Sequence, residues 1–354
     1  MDVSTHIRLL IPDKSYASIA KREISKMADE AGMAPADIGK LNIVVSEMTS
    51  NLAKHSKEGG ELLVRLIGQV GIEIICLDKG PGMPEPQRML EDGVSTYGSA
   101  GEGLGAIKRQ SDVFDMFSQV EVGTVILSRV YKSDFNLQRH LLEMRHEIGY
   151  VMVAKPNETL CGDGLAIIQK GAETYLLALD GLGHGAHANE AARAAVEAFR
   201  AYAPHHPVDM LRHVHQQIRR TRGAVGMAVN ISSNSHKISY CGIGNISGKL
   251  YAADISLTGS PYKNIISYNG ILGHNIPGTL NNQQLDWGRN KMLILHSDGL
   301  RSRWELTKYQ SLNRHHATTI AAVLYKEQSR QTDDTMVLVC KAKYKPDAPK
   351  YNQD

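Results

Sequence analysis

The sequence predicts an α+β protein of two domains. Its 354 residues are enough for two hydrophobic cores of ordinary size. Two separate sets of polar and glycine-rich motifs occupy the two halves, and each half interleaves helical and strand-like apolar patterns with glycine turns. We therefore expect domains at residues 1–132 and 148–344, a connecting helix at 133–147 and a disordered tail at 345–354.

The first half is expected to contain a strand, two helices and then a mixed sheet ending at Tyr131. In the segment LNIVVSEMTSNLAKHS, apolar residues recur at helical spacing. Glu47 and Asn51 are four residues apart, so they lie on one face of that helix. The strand-like run at 71–77 follows and leads into the glycine-rich turn DKGPGMP.

A second glycine-rich stretch, GEGLG at residues 101–105, stands at a predicted helix start. Glycines there would let backbone amides and the positive end of the helix approach an anionic phosphate. One such loop is more often only a turn. The order Glu-x-x-x-Asn, Asp-x-Gly-x-Gly, Gly-x-Gly-Leu-Gly is much more specific and indicates a nucleotide site.

Residues 5–132 resemble the GHKL (Bergerat) ATP-binding fold, an α/β two-layer sandwich, and within it the RsbT-like serine kinases. By that resemblance Glu47 would be the general base and Asn51 would bind the Mg²⁺ of ATP. Asp78 would accept a hydrogen bond from the adenine amino group. The other nucleotide-binding positions implied by the resemblance are Gly80, Gly82, Gly101, Gly103, Leu104, Gly105 and Thr124.

Related anti-sigma kinases carry an acid–arginine pair just before the glycine loop, where this chain has Ala100 and Gly101. Two interpretations therefore stay open for the first half. It is a serine kinase, as Glu47 favours, or it is a module that binds ATP or a partner and regulates the second half without phosphotransfer. A third alternative is that ATP turnover times a conformational cycle.

Four short acidic signatures recur in the second half: GDG at 162–164, DGLGHG at 180–185, SDG at 297–299 and DDT at 333–335. Apolar, strand-like runs lead into Asp180 and Asp298. A buried carboxylate is costly unless a positive charge neutralises it, and oxygen ligands suit a hard cation such as Mg²⁺ or Mn²⁺. A single Asp-Gly pair is more often a turn. Four in series favour a metal cluster.

The segments LALDGLGHGAHANEAARAA, LHSDGL and TDDTMVLV resemble the SpoIIE-type branch of the type-2C serine/threonine phosphatases, over residues 147–343. The resemblance implies an αββα sandwich with two Mn²⁺ or Mg²⁺ ions, which would activate a water for in-line attack on phosphorus. Asp180 and the carbonyl of Gly181 would bridge the ions. The remaining metal ligands would be Asp163, Asp298 and Asp333.

Three assignments in the second half are less direct. Asp334 is an alternative to its neighbour Asp333 as a metal ligand. His184 is either an acid for the leaving serine or, more often for a histidine in a glycine-rich turn, structural. The larger type-2C enzymes grip phosphate with an arginine, and the sequence shows no matching position.

Charge and composition narrow the function further. Forty basic and 37 acidic residues give a net charge of +3, which favours neither nucleic acid nor an anionic membrane as partner. Four cysteines without metal-type spacing, no membrane-spanning run and no signal peptide indicate the cytoplasm. The clustered histidines at 205–206, 213–215 and 315–316 are expected to be exposed or capping residues rather than metal ligands.

The connecting segment has apolar residues at helical spacing in Leu137, Leu141, Met144 and Ile148. This stripe either packs on the phosphatase core, which we favour, or forms a seam between two copies of the chain. The combined interpretation is a bifunctional partner-switching regulator, kinase plus phosphatase. By resemblance, its target would be a STAS-domain phosphoprotein.

Overall fold

The computed structural model describes residues 3–90, 103–252, 262–288 and 290–342. Gly101 of the predicted phosphate loop and the predicted tail at 345–354 lie outside these ranges. No helix within them is long and apolar enough to cross a membrane. The described residues form two α/β units that share one buried helix.

The first unit is built on a five-stranded sheet with the strand order β1-β2-β3-β5-β4. Every neighbouring pair is antiparallel, so the prediction of a mixed sheet was wrong. Short turns join β2 to β3 and β4 to β5, and two-strand hairpins of this kind pair only antiparallel. The strands are β1 (Ile7–Ile11), β2 (Gly60–Ile67), β3 (Gly71–Asp78), β4 (Val113–Gln119) and β5 (Gly123–Tyr131).

Three helices cover one face of this sheet: α1 (Ala17–Glu30), α2 (Pro35–His55) and α3 (Gly103–Gln110). The predicted apolar face of α2 is confirmed, because its five residues are at most 2% exposed: Leu41, Val44, Val45, Met48 and Leu52. Burial of this face sets the rotation of α2 about its axis. Glu47 and Asn51 are consequently half-buried at the edge of the core.

The second unit stacks two five-stranded sheets, with the orders β13-β10-β9-β8-β7 and β12-β11-β14-β15-β6. Apolar side chains from both sheets fill the layer between them. The strands are β6 (His146–Val153), β7 (Asp163–Lys170), β8 (Glu173–Gly181), β9 (Ala224–Ser232), β10 (Lys237–Ile243), β11 (Ser247–Ala252), β12 (Tyr262–Ile265), β13 (Gln283–Asp286), β14 (Lys291–His296) and β15 (Thr335–Ala342).

Helices cover both outer faces, which completes the predicted αββα sandwich. α5 (Ala186–Tyr202) and α6 (Pro207–Gln217) pack on the sheet that contains β8. α7 (Ala317–Gln328) packs on the sheet that contains β15, and its other side packs on β3 and β5 of the first unit. One hydrophobic cluster therefore runs from the first sheet through α7 into the second unit.

The segment between the units contains a short helix, α4 (Leu137–Glu143). None of its residues is buried, and Leu141 is 38% exposed. Ile148 belongs to β6, which begins at His146, two residues before the predicted boundary. The predicted helical stripe is therefore interrupted after Glu143. Of its four residues Met144 and Ile148 are buried, and Ile148 packs in the core of the second unit as we favoured, whereas Leu137 and Leu141 of α4 are not buried.

Candidate active sites

The first site forms where the start of α3 meets one face of α2. An added Cβ on Gly103 would lie 2.8 Å from Oε2 of Glu47 and 3.6 Å from Oδ1 of Asn51. The structure thus brings together two motifs that lie about fifty residues apart in the sequence. The absence of a side chain at Gly103 keeps the space beside both polar groups open. Leu104 and Gly105 continue α3 into the core.

Asp78 ends β3, directly before the glycine turn at 80–82. Its Oδ1 accepts hydrogen bonds from the amide of Gly80 at 2.8 Å and from the amide of Thr124 at 3.2 Å. Burial raises the pKa of Asp78, while these two amides act in the opposite direction. These two hydrogen bonds hold the carboxylate in one orientation.

The turn after Asp78 requires glycine. Gly82 has a φ of +73°, and an added Cβ there would lie 2.0 Å from the carbonyl oxygen of Gln119. At Gly80 an added Cβ would lie 2.7 Å from the carbonyl oxygen of His55. These contacts explain why the sequence places glycines at both positions: the backbone of the turn lies directly against α2 and β4.

The second site forms at one end of the αββα sandwich. The antiparallel register of β7 and β8 places Asp163 directly opposite Asp180. Ser297, which follows β14, donates a hydrogen bond of 2.7 Å to Oδ2 of Asp163. Asp180 lines an open cavity of about 490 Å³ together with Asp298 and Asp333. Four aspartates from four separate motifs thus converge on one place.

The electrostatics of this cluster are unbalanced. Burial raises the pKa of Asp180 to about 7, and the negative charges of Asp298 and Asp333 add to the shift. Burial also raises the pKa of Asp163 well above its usual range, with Asp180 as the largest charged contribution. Carboxylates that repel one another in this way fit a site for multivalent cations.

The two neighbouring aspartates Asp333 and Asp334 have different surroundings. Asp334 is 4% exposed, and its two oxygens accept hydrogen bonds from the amides of Lys155 and Gly162, at 2.8 and 2.9 Å. Asp333 is half-buried and lines the cavity. The geometry therefore favours Asp333 as the ligand and gives Asp334 the task of holding the loop that precedes Asp163.

Gly181 has no room for a side chain, since an added Cβ would lie 2.5 Å from the carbonyl oxygen of Ala188. Among the described residues, no three His, Cys, Asp or Glu side chains are already arranged as a metal-binding group. The fit to two cations rests instead on the donor set. Oxygen donors from Asp163, Asp180, Asp298 and Asp333 are those that Mg²⁺ and Mn²⁺ prefer.

Two further polar groups border the cavity. Nδ1 of His184 lies 2.8 Å from Oε1 of Glu158, and His184 lines the cavity beside Gly183. An added Cβ on Gly183 would lie 3.0 Å from Nη1 of Arg222, an exposed arginine just before β9. The sequence did not indicate Arg222, because no motif spacing connects it to the aspartates.

Of the clustered histidines, His205 and His206 are exposed and His316 is a capping residue, as predicted. The ring of Tyr202 stacks on those of His205 and His213, with centroids 4.0 and 4.4 Å away. His316 caps α7 by accepting a hydrogen bond from the amide of Thr318. His215 is 7% exposed and accepts a hydrogen bond from the amide of Gly273, so the expectation of exposure was wrong there.

Each half of the chain resembles known proteins. Residues 170–343 match the family described as stage II sporulation protein E (SpoIIE). Residues 12–129 match the histidine kinase-like ATPase domain. The serine/threonine-protein kinase RsbT of Bacillus subtilis strain 168 is 34% identical over 111 residues, which is 30% of this chain and 84% of RsbT.

Two solved structures share the fold. One, described as "The bacterial stressosome: a modular system that has been adapted to control secondary messenger signaling", has a TM-score of 0.52 and 24% identity, covering 56% of this chain and all of that one. A structure of RsbX in complex with magnesium has a TM-score of 0.50 and 20% identity, covering 56% of this chain and 97% of that one. The chain therefore belongs, through its ATPase domain, to the RsbT family of serine/threonine-protein kinases, and residues 170–343 of the same chain match the SpoIIE family.

Proposed function

We propose that the chain is a cytoplasmic partner-switching regulator that both phosphorylates and dephosphorylates a small STAS-domain antagonist protein. The observation that carries the proposal is the cavity lined by Asp180, Asp298 and Asp333, with Asp163 directly opposite Asp180, in a chain whose other half is related to RsbT. The four described cysteines are free and buried, which suits a reducing compartment.

In the kinase half, Glu47 would receive a proton. Its carboxylate lies beside Gly103, where the phosphates would enter, and one helical turn from Asn51. Glu47 would take the proton of the attacking serine hydroxyl, while Asn51 would hold the Mg²⁺ of ATP. Asp78 would fix the base at the far end of the site, so the nucleotide would be held at both ends.

In the phosphatase half, Asp163, Asp180, Asp298 and Asp333 would hold the two ions, with the Gly181 carbonyl as a further ligand. Bound there, Mn²⁺ or Mg²⁺ would supply Lewis acidity and lower the pKa of a water. Ser297 keeps Asp163 oriented through its hydrogen bond. The chain's own task is to position these carboxylates before the substrate arrives.

Two residues at the cavity mouth would act on the phosphoserine itself. The guanidinium of Arg222 stands beside Gly183 and would pair with phosphate oxygens in a bidentate manner. It would take the place of the arginine for which the sequence shows no matching position. His184, oriented by Glu158, would donate a proton to the leaving serine oxygen.

The two activities in one chain would act on the same pool of target. Both sites stay at a fixed high local concentration near a bound STAS protein, so the balance between them sets its phosphorylation. The alternative, an ATPase domain that only regulates the phosphatase, is supported by Ala100 and Gly101 at the positions of the acid–arginine pair. One experiment distinguishes the two.

The experiment incubates the purified chain with ATP labelled on the γ-phosphate and STAS-domain proteins from the same genome. The parent protein should label its target only transiently when Mn²⁺ is present. Asp180→Asn should let the label accumulate, because it disables removal but not transfer. Glu47→Ala should slow labelling about a hundredfold in either background. If Asp180→Asn labels no STAS protein, the kinase proposal fails and the regulatory alternative replaces it.

A further inference from the structure

The segment between two of the proposed metal ligands, Asp298 and Asp333, packs against the nucleotide-binding unit. After Asp298 it leaves the cavity, forms α7 and returns to the cavity at Asp333. Residues 317–325 of α7 are all buried, because the helix lies between the sheets of the two units. Any shift of α7 against the first sheet is thus transmitted to a segment whose two ends lie in the metal site.

Lys326, in the last turn of α7, connects this segment to the adenine side of the nucleotide site. Its side chain is 3% exposed, and Nζ donates a hydrogen bond to the carbonyl oxygen of Val122. Val122 lies two residues before Thr124, whose amide holds Asp78. The charge of Lys326 also lowers the pKa of Asp78, although burial of that carboxylate has the larger and opposite effect.

The residues directly after Lys326 form hydrogen bonds with residues 298–301, which we call the metal loop because Asp298 belongs to it. The carbonyl oxygen of Gln328 accepts a hydrogen bond of 2.9 Å from the amide of Arg301, and the carbonyl oxygen of Gly299 accepts one of 2.8 Å from the amide of Arg330. Nη1 of Arg330 also lies 3.4 Å from the carbonyl oxygen of Asp298. Only a few residues therefore separate the turn beside Asp78 from the loop that carries Asp298.

We propose that the last turn of α7 couples the two sites, so that nucleotide in the first unit tightens metal binding in the second, and metal tightens nucleotide binding. The identity of the two ligands rests on the proposed function. The coupling arises because each ligand orders the same short segment: the nucleotide orders the turn at Val122 and Lys326, and the cations order the loop at Asp298. The ligand that binds second then loses less conformational entropy on binding, and its affinity is higher.

A double-mutant cycle tests the coupling without titrating metal against a nucleotide that itself chelates it. The affinity for a fluorescent, non-hydrolysable ATP analogue is measured at one saturating Mn²⁺ concentration. Asp180→Asn, which disables the metal site, should weaken nucleotide binding by about tenfold, a typical size for coupling between sites. In a Lys326→Met background the same change should have no effect, since Met keeps the length of the side chain but loses the charged donor.

Lys341→Met is the matched control. Lys341 is also a partly buried lysine that donates to a backbone carbonyl, that of His315 at the other end of α7. In this background Asp180→Asn should still weaken nucleotide binding about tenfold. The inference is overturned if Asp180→Asn leaves nucleotide affinity unchanged in the parent, or if Lys326→Met leaves the tenfold effect intact.

Hydrogen exchange on the parent protein gives a second measurement that needs no variant to fold. Nucleotide added at constant free Mn²⁺ should slow exchange of the Arg301 and Arg330 amides, which hold the metal loop. Unchanged exchange at both would contradict the coupling. Since both readouts are of binding, coupling without phosphotransfer would refute only the kinase proposal, and phosphotransfer without coupling would refute only this inference.

Discussion

Glu73 in the first unit and Asp163 in the second are both buried carboxylates, 0% and 4% exposed, with opposite surroundings. Glu73 lies between Nε of Arg65 at 2.6 Å and Nε of Arg129 at 2.7 Å, with Nε2 of His6 at 3.2 Å. Asp163 has one hydroxyl donor, Ser297, and the charges that act on it are those of other aspartates.

The pKa values follow from this difference. Burial would raise the pKa of Glu73, yet Arg65 and Arg129 hold it well below its usual range. Burial and Asp180 together raise the pKa of Asp163 well above its usual range. A buried carboxylate neutralised within the chain stays charged without an outside ligand, whereas one left among like charges takes up a proton or a cation from solution.

The paired and unpaired carboxylates also lie in different places. Arg129 also donates a hydrogen bond of 2.8 Å to Oγ1 of Thr318 in α7, so the Glu73 network lies at the junction of the two units. Asp115 of β4 adds a second polar contact there, accepting hydrogen bonds from the amide of His316 and from Nδ1 of His315. The paired charges therefore join the units, and the unpaired ones lie at the cavity of the second unit.

The largest expected effect comes from breaking the paired carboxylate. Glu73→Gln would leave two buried guanidinium groups without their counter-charge, which should lower the free energy of unfolding by about 3–5 kcal/mol. Chemical denaturation measures it. Glu58→Gln on the exposed surface is the control and should change stability by less than about 0.5 kcal/mol. Equal stability of the two variants would show that the network contributes nothing.

Removing one unpaired carboxylate should act on activity instead. Asp180→Asn should reduce Mn²⁺-dependent phosphate release by more than about a hundredfold, because even the outer partners of a metal cost ten- to hundredfold when removed. Asp298→Asn and Asp333→Asn should behave alike, whereas Asp334→Asn should lose less activity, since Asp334 binds backbone amides. Full loss at Asp334 with an active Asp333 variant would reverse the ligand assignment.

In the kinase half, two variants separate binding from chemistry. Glu47→Ala should leave ATP affinity nearly unchanged but slow phosphotransfer by about a hundredfold, the usual loss of a general base. Asn51→Ala should weaken Mg-ATP binding itself, because the cation loses an oxygen ligand. Affinity and transfer rate are measured for each variant with the STAS partner present. Transfer at the parental rate by Glu47→Ala would exclude it as the base.

The pH dependence of stability should have opposite signs at the two carboxylate groups. Asp180 in the metal-free protein has a pKa raised to about 7, so unfolding releases its proton. This group's contribution to stability should fall by about 1.4 kcal/mol per pH unit as pH rises from about 4 to 7. Glu73, with its lowered pKa, contributes stability that is present above its unfolded pKa and is lost as pH falls below it.

Thermal unfolding of the metal-free protein at pH 5 and pH 7 measures the slope, with Asp180→Asn as control. The substitution should flatten the slope, and saturating Mn²⁺ should do the same by neutralising the cluster. A metal-free protein that becomes more stable over this range, with the slope unchanged in Asp180→Asn, would contradict the unbalanced charge at the metal site.

The smallest effect is expected at the cavity mouth. Arg222→Ala should raise the KM for the phosphorylated substrate by about tenfold, since one charged hydrogen-bonding partner contributes about 1.5 kcal/mol or more. Metal affinity should stay unchanged. Arg220→Ala removes an exposed arginine two positions away and is the matched control. If both variants raise KM equally, a general positive charge attracts the substrate and Arg222 has no specific role.

Local sequence patterns were enough to predict much of the fold and of the candidate sites. The helical spacing from Leu41 to Leu52 placed Glu47 and Asn51 on one face, because burial of an apolar stripe sets the rotation of a helix. The apolar run before Asp180 determined a buried strand that ends at a carboxylate, and the glycines at 80 and 82 marked a turn that a side chain would obstruct.

Only the tertiary structure shows which residues far apart in the sequence are in contact. Strand direction in the first sheet, the end of α4 and the nearness of Arg222 to Gly183 depend on which elements become neighbours, and no spacing along the chain encodes that. The same holds for Glu73. No sequence motif marks it, and only the packed sheet places two arginines from neighbouring strands beside its carboxylate. The position of α7 between the two sheets is the largest such case. Its apolar residues required burial, but only the packed structure shows that both of its faces are covered, one of them by the nucleotide-binding unit.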